Sequence, residues 1–249
     1  MLLLGLDFET TGLNTSKDNI IEVGAVLWDT CRAMPVQIYS DYIWHENIWN
    51  DTTSTKENIE KLTKISNDDI KNYGLPAKYV LEKVAALMTT PGLVAAVAHN
   101  GYDFDKPIFY ANAKRWGVVL PEIPWIDTQY DVPYEMTIRK LPYLAAEHGF
   151  VNPFPHRAIF DVLTMMKILQ HYDTEWVLKV SKIPRVMLIA ETKAPGVDNG
   201  VSKNKAKALG FKFDGENKRW IKNVRENKVQ AEIDAAKASN LDIRERIYL

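Results

Sequence analysis

Three apolar segments separated by turn residues fill the first 44 positions, and no helical period interrupts them. Residues 2–9, 20–28 and 36–44 are rich in aliphatic and aromatic side chains, with Gly, Asn, Asp or Pro between them. A chain that opens this way lays down strands of a sheet before it has any helix to cover them. Helical signals come next. Residues 76–88 start at a proline and carry Val80, Leu81, Val84 and Leu87 at helical spacing. Residues 93–98 return to a short strand, 105–116 read as a helix stopped by Gly117, 123–126 as another strand, and 137–147 and 158–170 as helices. Three strands followed by alternating helices and strands predict an α/β domain whose mixed sheet is flanked by helices.

Beyond about residue 182 the pattern changes. Residues 183–202 hold Pro184, Pro195, Gly196 and Gly200 around one apolar run, 186–190, and a compact unit follows. Residues 203–209 read as a helix with Gly210 as its stop, 211–213 and 220–224 as a hairpin around Asp214-Gly215-Glu216-Asn217, and 226–239 as a helix with Val229, Ile233 and Ala236 on one face. The expected division is residues 1–182 as an α/β domain and 183–249 as a small α+β module.

Charge follows the same division. Residues 1–180 carry 16 Lys and Arg against 23 Asp and Glu, whereas residues 181–249 carry 15 against 9, inside a net charge of only −1. An acidic body with a basic tail suits a metal-using domain joined to something that meets a polyanion; a solvated basic face without a partner reads equally well on charge alone. Cys31, the single cysteine, excludes a disulfide framework or a Cys-based zinc site, fits a reducing compartment, and is expected to be a buried small hydrophobe. The opening apolar run stops at Asp7, far short of the roughly 20 residues of a membrane span, so a soluble, cytoplasmic protein with no membrane partner is expected.

Acidic side chains recur where elements end. Asp7-Phe8-Glu9 closes the first strand, where alternation turns both carboxylates to one face. His99-Asn100-Gly101-Tyr102-Asp103-Phe104-Asp105-Lys106-Pro107 follows a buried-looking strand and opens a helix. His156-Arg157-Ala158-Ile159-Phe160-Asp161 follows Pro153 and Pro155. On a continuous helix His156 and Asp161 would point about 140° apart, so the histidine is expected on the loop and the aspartate in the first helical turn. Several carboxylates at one place suit hard divalent cations such as Mg²⁺, which take oxygen ligands and negative charge.

In this order and spacing, with Thr10-Thr11-Gly12-Leu13, the strand Ile20-Ile21-Glu22-Val23-Gly24-Ala25-Val26 and Asp127-Thr128, these pieces resemble the DnaQ-like (DEDDh) 3′-to-5′ exonucleases over residues 1–175. The resemblance implies a ribonuclease H-like fold with a five-stranded mixed sheet. It also implies two divalent cations, Mg²⁺ or Mn²⁺, held by Asp7, Glu9, Asp105 and Asp161, and His156 as general base. Many members place the third carboxylate five residues after the first histidine, where this chain has Phe104. The three-prime repair exonucleases use six, followed by x-Pro and an aliphatic residue, which selects Asp105 and leaves Asp103 as a helix cap. The loop holding Thr10, Thr11 and Leu13 would touch the terminal nucleotide, the leucine against its base. Asn100 would touch substrate or satisfy backbone groups.

The activity so implied is release of nucleoside 5′-monophosphates from nucleic-acid 3′ ends, single-stranded DNA favoured over RNA, in a bacterial or phage-infected cell. A polymerase or another replication or repair protein is a candidate partner. The rivals are an RNA-processing exonuclease of the same fold and a non-catalytic binding subunit, whose signature would be a missing carboxylate. The tail resembles a module appended to some bacterial and phage exonucleases of this type. Its Lys205, Lys207, Lys212 and Lys222, interleaved with Phe211, Phe213 and Trp220, would contact a nucleic-acid strand, or the aromatics form a miniature core and the lysines solubilise it. His45, His148 and His171, and tryptophans such as Trp49, read as packing or surface residues.

Overall fold

The structure, a computed structural model, describes residues 1–44, 54–136, 138–193, 200–215 and 217–249. His45, Trp49, Thr137, Pro195, Gly196 and Glu216, to which the sequence assigned packing, helical or loop positions, lie outside them. The chain divides into two compact units, Met1–Ser181 and Lys182–Leu249.

In the first unit β1 (Leu2–Thr10), β2 (Ile20–Asp29) and β3 (Met34–Trp44) form an antiparallel meander. Then come α1 (Ser54–Thr63), α2 (Asn67–Tyr73), β4 (Leu75–Pro76), α3 (Ala77–Leu87), β5 (Leu93–Ala98), α4 (Asp105–Arg115), β6 (Trp125–Asp127), α5 (Thr128–Asp131), α6 (Leu141–Glu147), α7 (Ala158–Leu169) and α8 (Thr174–Ser181). The sheet order is β4-β3-β2-β1-β5-β6, with β5 parallel to β1 and β6 parallel to β5. This is the mixed sheet of a ribonuclease H-like fold. It has one strand more than the sequence predicts, because two residues, Leu75 and Pro76, pair with the end of β3.

Strand alternation divides the core into two layers. Leu4, Leu6 and Phe8 of β1 pack with α3 and α4, whereas Leu3 of β1 and Val26 and Trp28 of β2 pack with α6, α7 and α8 on the opposite face. On that second face lie Gly5, Asp7 and Glu9 of β1 and, directly across, Val26, Gly24 and Glu22 of β2. Both glycines let α7 come close. A Cβ on Gly5 would stand 2.7 Å from Val162 Cγ1, and one on Gly24 would stand 2.4 Å from the Ala158 carbonyl carbon. The first turn of α7 therefore lies on the strand backbone beside Asp7 and Glu9.

Local chemistry starts α2 where the sequence reading placed no element. Ser66 and Asp69 form a reciprocal capping box, with Asp69 in the place usually held by Glu or Gln. Cys31 is exposed on the turn between β2 and β3, not buried, as are all of residues 31–34 around that turn.

The second unit comprises β7 (Arg185–Ala190), α9 (Val201–Ala208), β8 (Lys212–Asp214), β9 (Arg219–Arg225), a 3₁₀ turn over Glu226–Lys228, α10 (Val229–Ala238) and β10 (Ile243–Tyr248). Its sheet order is β10-β7-β9-β8. The apolar run taken as part of a connecting segment is thus a central strand, paired on both sides. Gly210, at φ +80°, ends α9 in the left-handed conformation that a glycine adopts at no steric cost. Val186, Leu188, Phe211, Trp220, Val229, Ile233 and Ala236 form the core, so two of the three aromatics are interior and Phe213 is exposed.

Candidate active site

The acidic cluster forms where β1 outruns its neighbour. The β1–β5 ladder ends at Gly5 opposite Val97, so the last residues of β1 have backbone groups open on that edge. The chain leaves β5 through a tight turn in which Asn100, at φ +69°, offers its carbonyl to the Asp103 and Phe104 N–H groups. Buried Asp127 holds this turn, accepting from the Asn100 and Tyr102 N–H groups at 2.9 Å each. Asp105, 3% exposed, then enters α4 with its carboxyl near the N–H of Phe8, between Asp7 and Glu9. Asp103 is not the cap expected of it. Phe104 occupies the N-cap position without a side-chain bond, and the exposed Asp103 accepts from the Tyr130 hydroxyl at 2.8 Å.

From the other side α7 presents Asp161 in its first turn, with His156 on the preceding loop. Asp161 Oδ2 accepts the His156 backbone N–H at 2.9 Å and Oδ1 accepts Asn152 Nδ2 at 2.6 Å. Ligating atoms of Glu9, His156 and Asp161 lie within 4.8 Å of one another. His156 has φ +62°, a left-handed conformation uncommon outside glycine, and the bond to Asp161 helps to hold it.

The electrostatics are those of crowded negative charge. Burial, followed by Asp105, Glu9, Asp161 and Glu22, holds the Asp7 carboxyl well above the usual carboxylate range. Burial and the neighbouring Asp161, Glu22 and Asp105 push Glu9 up to about 8, with the Arg157 guanidinium opposing. Burial and Asp127 push Asp105 to about 8 despite the N–H groups of Phe8 and of Asp105 itself. Asp161 is raised to about 6 by burial, against the bonds from His156 and Asn152. Burial lowers His156, which favours neutral imidazole near pH 7. Converging hard oxygen donors that outnumber the nearby guanidinium of Arg157 suit a divalent cation, so Asp7, Glu9, Asp105 and Asp161 could hold metal.

The remaining candidates divide by what they touch. The Thr10 hydroxyl donates to the Gly12 carbonyl and the Thr11 hydroxyl to Asp18, so both serve their own loop. Arg115 braces that loop through the carbonyls of Ser16, Lys17 and Asp18 and through Asn19, and Leu13 stands at its tip 86% exposed. The Asn100 side chain receives a long contact from Gln129 at 3.4 Å, while its backbone shapes the turn. In the second unit Lys205 is half-buried on α9, Lys207 exposed beside it, and Lys212 exposed on β8. Lys222 is committed internally, its ammonium donating to Leu209 O at 2.8 Å and Glu232 Oε2 at 2.6 Å.

Three participants were missed in the sequence: Glu22, Asn152 and the anchoring role of Asp127. Glu22 had a signal, a lone charge inside an apolar strand, which needs a buried partner.

A family model described as Exonuclease (RNase_T) matches residues 4–169. The chain is 32% identical over 124 residues, 49% of its length, to a PolC-type DNA polymerase III of Ureaplasma parvum serovar 3, and the match spans 8% of that polymerase. Among solved structures, E. coli exonuclease I in complex with a dA16 oligonucleotide matches with TM-score 0.62 and 12% identity, covering 97% of this chain and 68% of that one. A 3′-exonuclease that recognises the histone mRNA stem-loop matches with TM-score 0.56 and 19% identity, covering 68% and 80%. At these identities the structural likenesses show the fold.

Proposed function

Because the chain belongs to the exonuclease family, of the DnaQ-like type, we propose that it is a metal-dependent 3′-to-5′ exonuclease that releases nucleoside 5′-monophosphates, with DNA favoured. The observation that carries this reading is the meeting of Glu9, His156 and Asp161, with ligating atoms within 4.8 Å of one another, next to Asp7 and Asp105, whose charges act on the same cluster at the end of β1. The non-catalytic alternative is disfavoured, since none of the four carboxylates is missing.

These four carboxylates would hold two Mg²⁺ or Mn²⁺ ions. When bound, the ions supply Lewis-acid activation of water and stabilise charge on the attacking and leaving oxygens. The chain's own groups do the rest. The His156 imidazole, kept neutral by burial, takes the proton of the attacking water on a ring nitrogen. Asn152 and the His156 N–H orient Asp161, and the Phe8 N–H orients Asp105, so the carboxylates are fixed before substrate arrives. Leu13 packs on the base of the terminal nucleotide from its braced loop. Lys205, Lys207 and Lys212 of the second unit, with exposed Phe213, would contact more of the strand.

DNA as substrate is supported by the dA16 complex of exonuclease I and by the PolC-type relative, which also supports a polymerase as partner. The likeness to the histone mRNA 3′-exonuclease supports RNA as the second reading. Among the described residues no helix is long and apolar enough to cross a membrane. The test is a time course with 5′-labelled single-stranded DNA, duplex DNA and RNA of equal length, with Mg²⁺ and with EDTA. A metal-dependent ladder shortening from the 3′ end, fastest on single-stranded DNA, is expected. Endonucleolytic products, or hydrolysis indifferent to EDTA, would reject the reading.

A further inference from the structure

Glu22 stands directly across the strand pair from Glu9, on the same face of the sheet, with its side chain 2% exposed. Like charges in that relation repel. Its carboxylate is met by Arg157, with Nη2 at 2.9 Å and Nε at 3.1 Å from Oε1, and by the Ala158 N–H at 3.0 Å from Oε2. Arg157 Nη2 also donates to the Tyr42 hydroxyl at 2.8 Å, and the guanidinium lies 5.5 Å from the centre of that ring. The side-chain and backbone donors that meet Glu22 thus belong to the two residues that follow His156.

We propose that Glu22 and Arg157, backed by Tyr42, act as a positioning clamp that sets the backbone of His156 and aims its imidazole over the acidic cluster, an inference that rests on the exonuclease reading. Stability alone does not account for the pair, since taking the Glu22 carboxylate out of water carries a desolvation cost that the partly exposed guanidinium serves to offset. What the pair adds is position. His156 has a left-handed backbone that its neighbours must hold. On one side its N–H is bound by Asp161; on the other, Arg157 and Ala158 are bound to Glu22. Gly24, on the same face of β2 as Glu22, removes the side chain that would keep Ala158 from reaching the carboxylate. The clamp thus ties the general base to the strand opposite Glu9 without touching substrate. The guanidinium also offsets the charge of a fifth carboxylate next to four others.

The test uses the full chain with Arg157→Lys, Tyr42→Phe, Glu22→Gln and the Glu22→Gln/Arg157→Lys double variant. Lysine keeps the charge but cannot make the forked contact. Arg157→Lys should lower kcat by about 10- to 100-fold, with KM and Mn²⁺ affinity by calorimetry within about twofold of wild type. Amide exchange over residues 155–160 should quicken. Tyr42→Phe, which spares the ion pair, should show a smaller loss of the same kind, and the double variant should be no slower than the slower single, because each breaks the same clamp. If Glu22→Gln fails to fold, Arg157→Lys and Tyr42→Phe decide alone. Wild-type kcat in both, or a loss confined to KM with unchanged exchange, overturns the clamp. A wild-type chain without metal-dependent exonuclease activity overturns instead the reading on which it rests.

Discussion

Replacing Gly24 by alanine tests how closely α7 lies on the sheet. In a strand this substitution ordinarily stabilises, by about 0.4–1 kcal/mol, because it restricts the unfolded chain. Here the added Cβ would stand 2.4 Å from the Ala158 carbonyl carbon and 2.6 Å from both Ala158 O and Ile159 N. Carbon atoms rest at about 3.5–4.0 Å, so the start of α7 must retreat by roughly 1 Å or more. Those neighbours are backbone and cannot swing aside. Overpacking of this kind costs about 1–3 kcal/mol, which exceeds the unfolded-state gain. Net of that gain about 0.6–2 kcal/mol remains, and at about 2–4 °C per kcal/mol for a chain of this size the melting temperature should fall by roughly 1–8 °C. The same retreat lengthens the bond from the Ala158 N–H to Glu22 and carries Asp161 away from Glu9. A misplacement of about 1 Å at a reacting centre costs on the order of 10²-fold, so kcat on a labelled oligonucleotide at saturating Mg²⁺ should drop by about that much. A variant with wild-type melting temperature, and with kcat within about threefold of wild type, would refute the close seating of α7 and the coupling of that seating to the site.

Other substitutions separate roles within the cluster. Asp105→Asn should reduce steady-state turnover by more than about 10²-fold and Asp103→Asn far less, since only Asp105 reaches the Phe8 N–H between the first two carboxylates; the reverse order would move the third ligand to Asp103. His156→Ala should cost about 10²- to 10⁴-fold in kcat while Mn²⁺ titration by calorimetry survives, and loss of metal binding would make the histidine a ligand. In EDTA the melting temperature should fall as pH rises from about 5 to 8. Glu9 and Asp105 at about 8 and Asp161 at about 6 bind protons more tightly in the folded than in the unfolded chain, where carboxyls titrate near 4, so the stability present at low pH is lost as those values are passed. Mn²⁺ should flatten the slope, and a melting temperature that rises over this range in EDTA would contradict the crowded-carboxylate account.

What the sequence determines here is what neighbouring residues impose on one another. A two-residue period turns Asp7 and Glu9 to one face. A proline-flanked loop followed by a helical stretch places His156 ahead of α7 and Asp161 within its first turn, and Gly210 ends a helix by its own backbone freedom. Tertiary structure decides whatever depends on which segments become neighbours. That β5 stops short of the end of β1, leaving the Phe8 N–H for Asp105, follows from strand register and not from the spacing of the acidic motif. The bonds from Arg157 to Glu22 span 135 residues, and the sequence shows a lone buried charge but not its partner. Lys222 reads as a solvent-facing base until α10 brings Glu232 to it, and Ile243–Tyr248, charged along its middle, becomes a strand only because β7 offers an open edge. The physical reason is the same throughout. Periodicity and turn chemistry act over a few residues, whereas the partners of buried charges and unpaired strand edges are set by how whole elements pack, which joins Lys222 to Glu232 across 10 residues and Arg157 to Glu22 across 135.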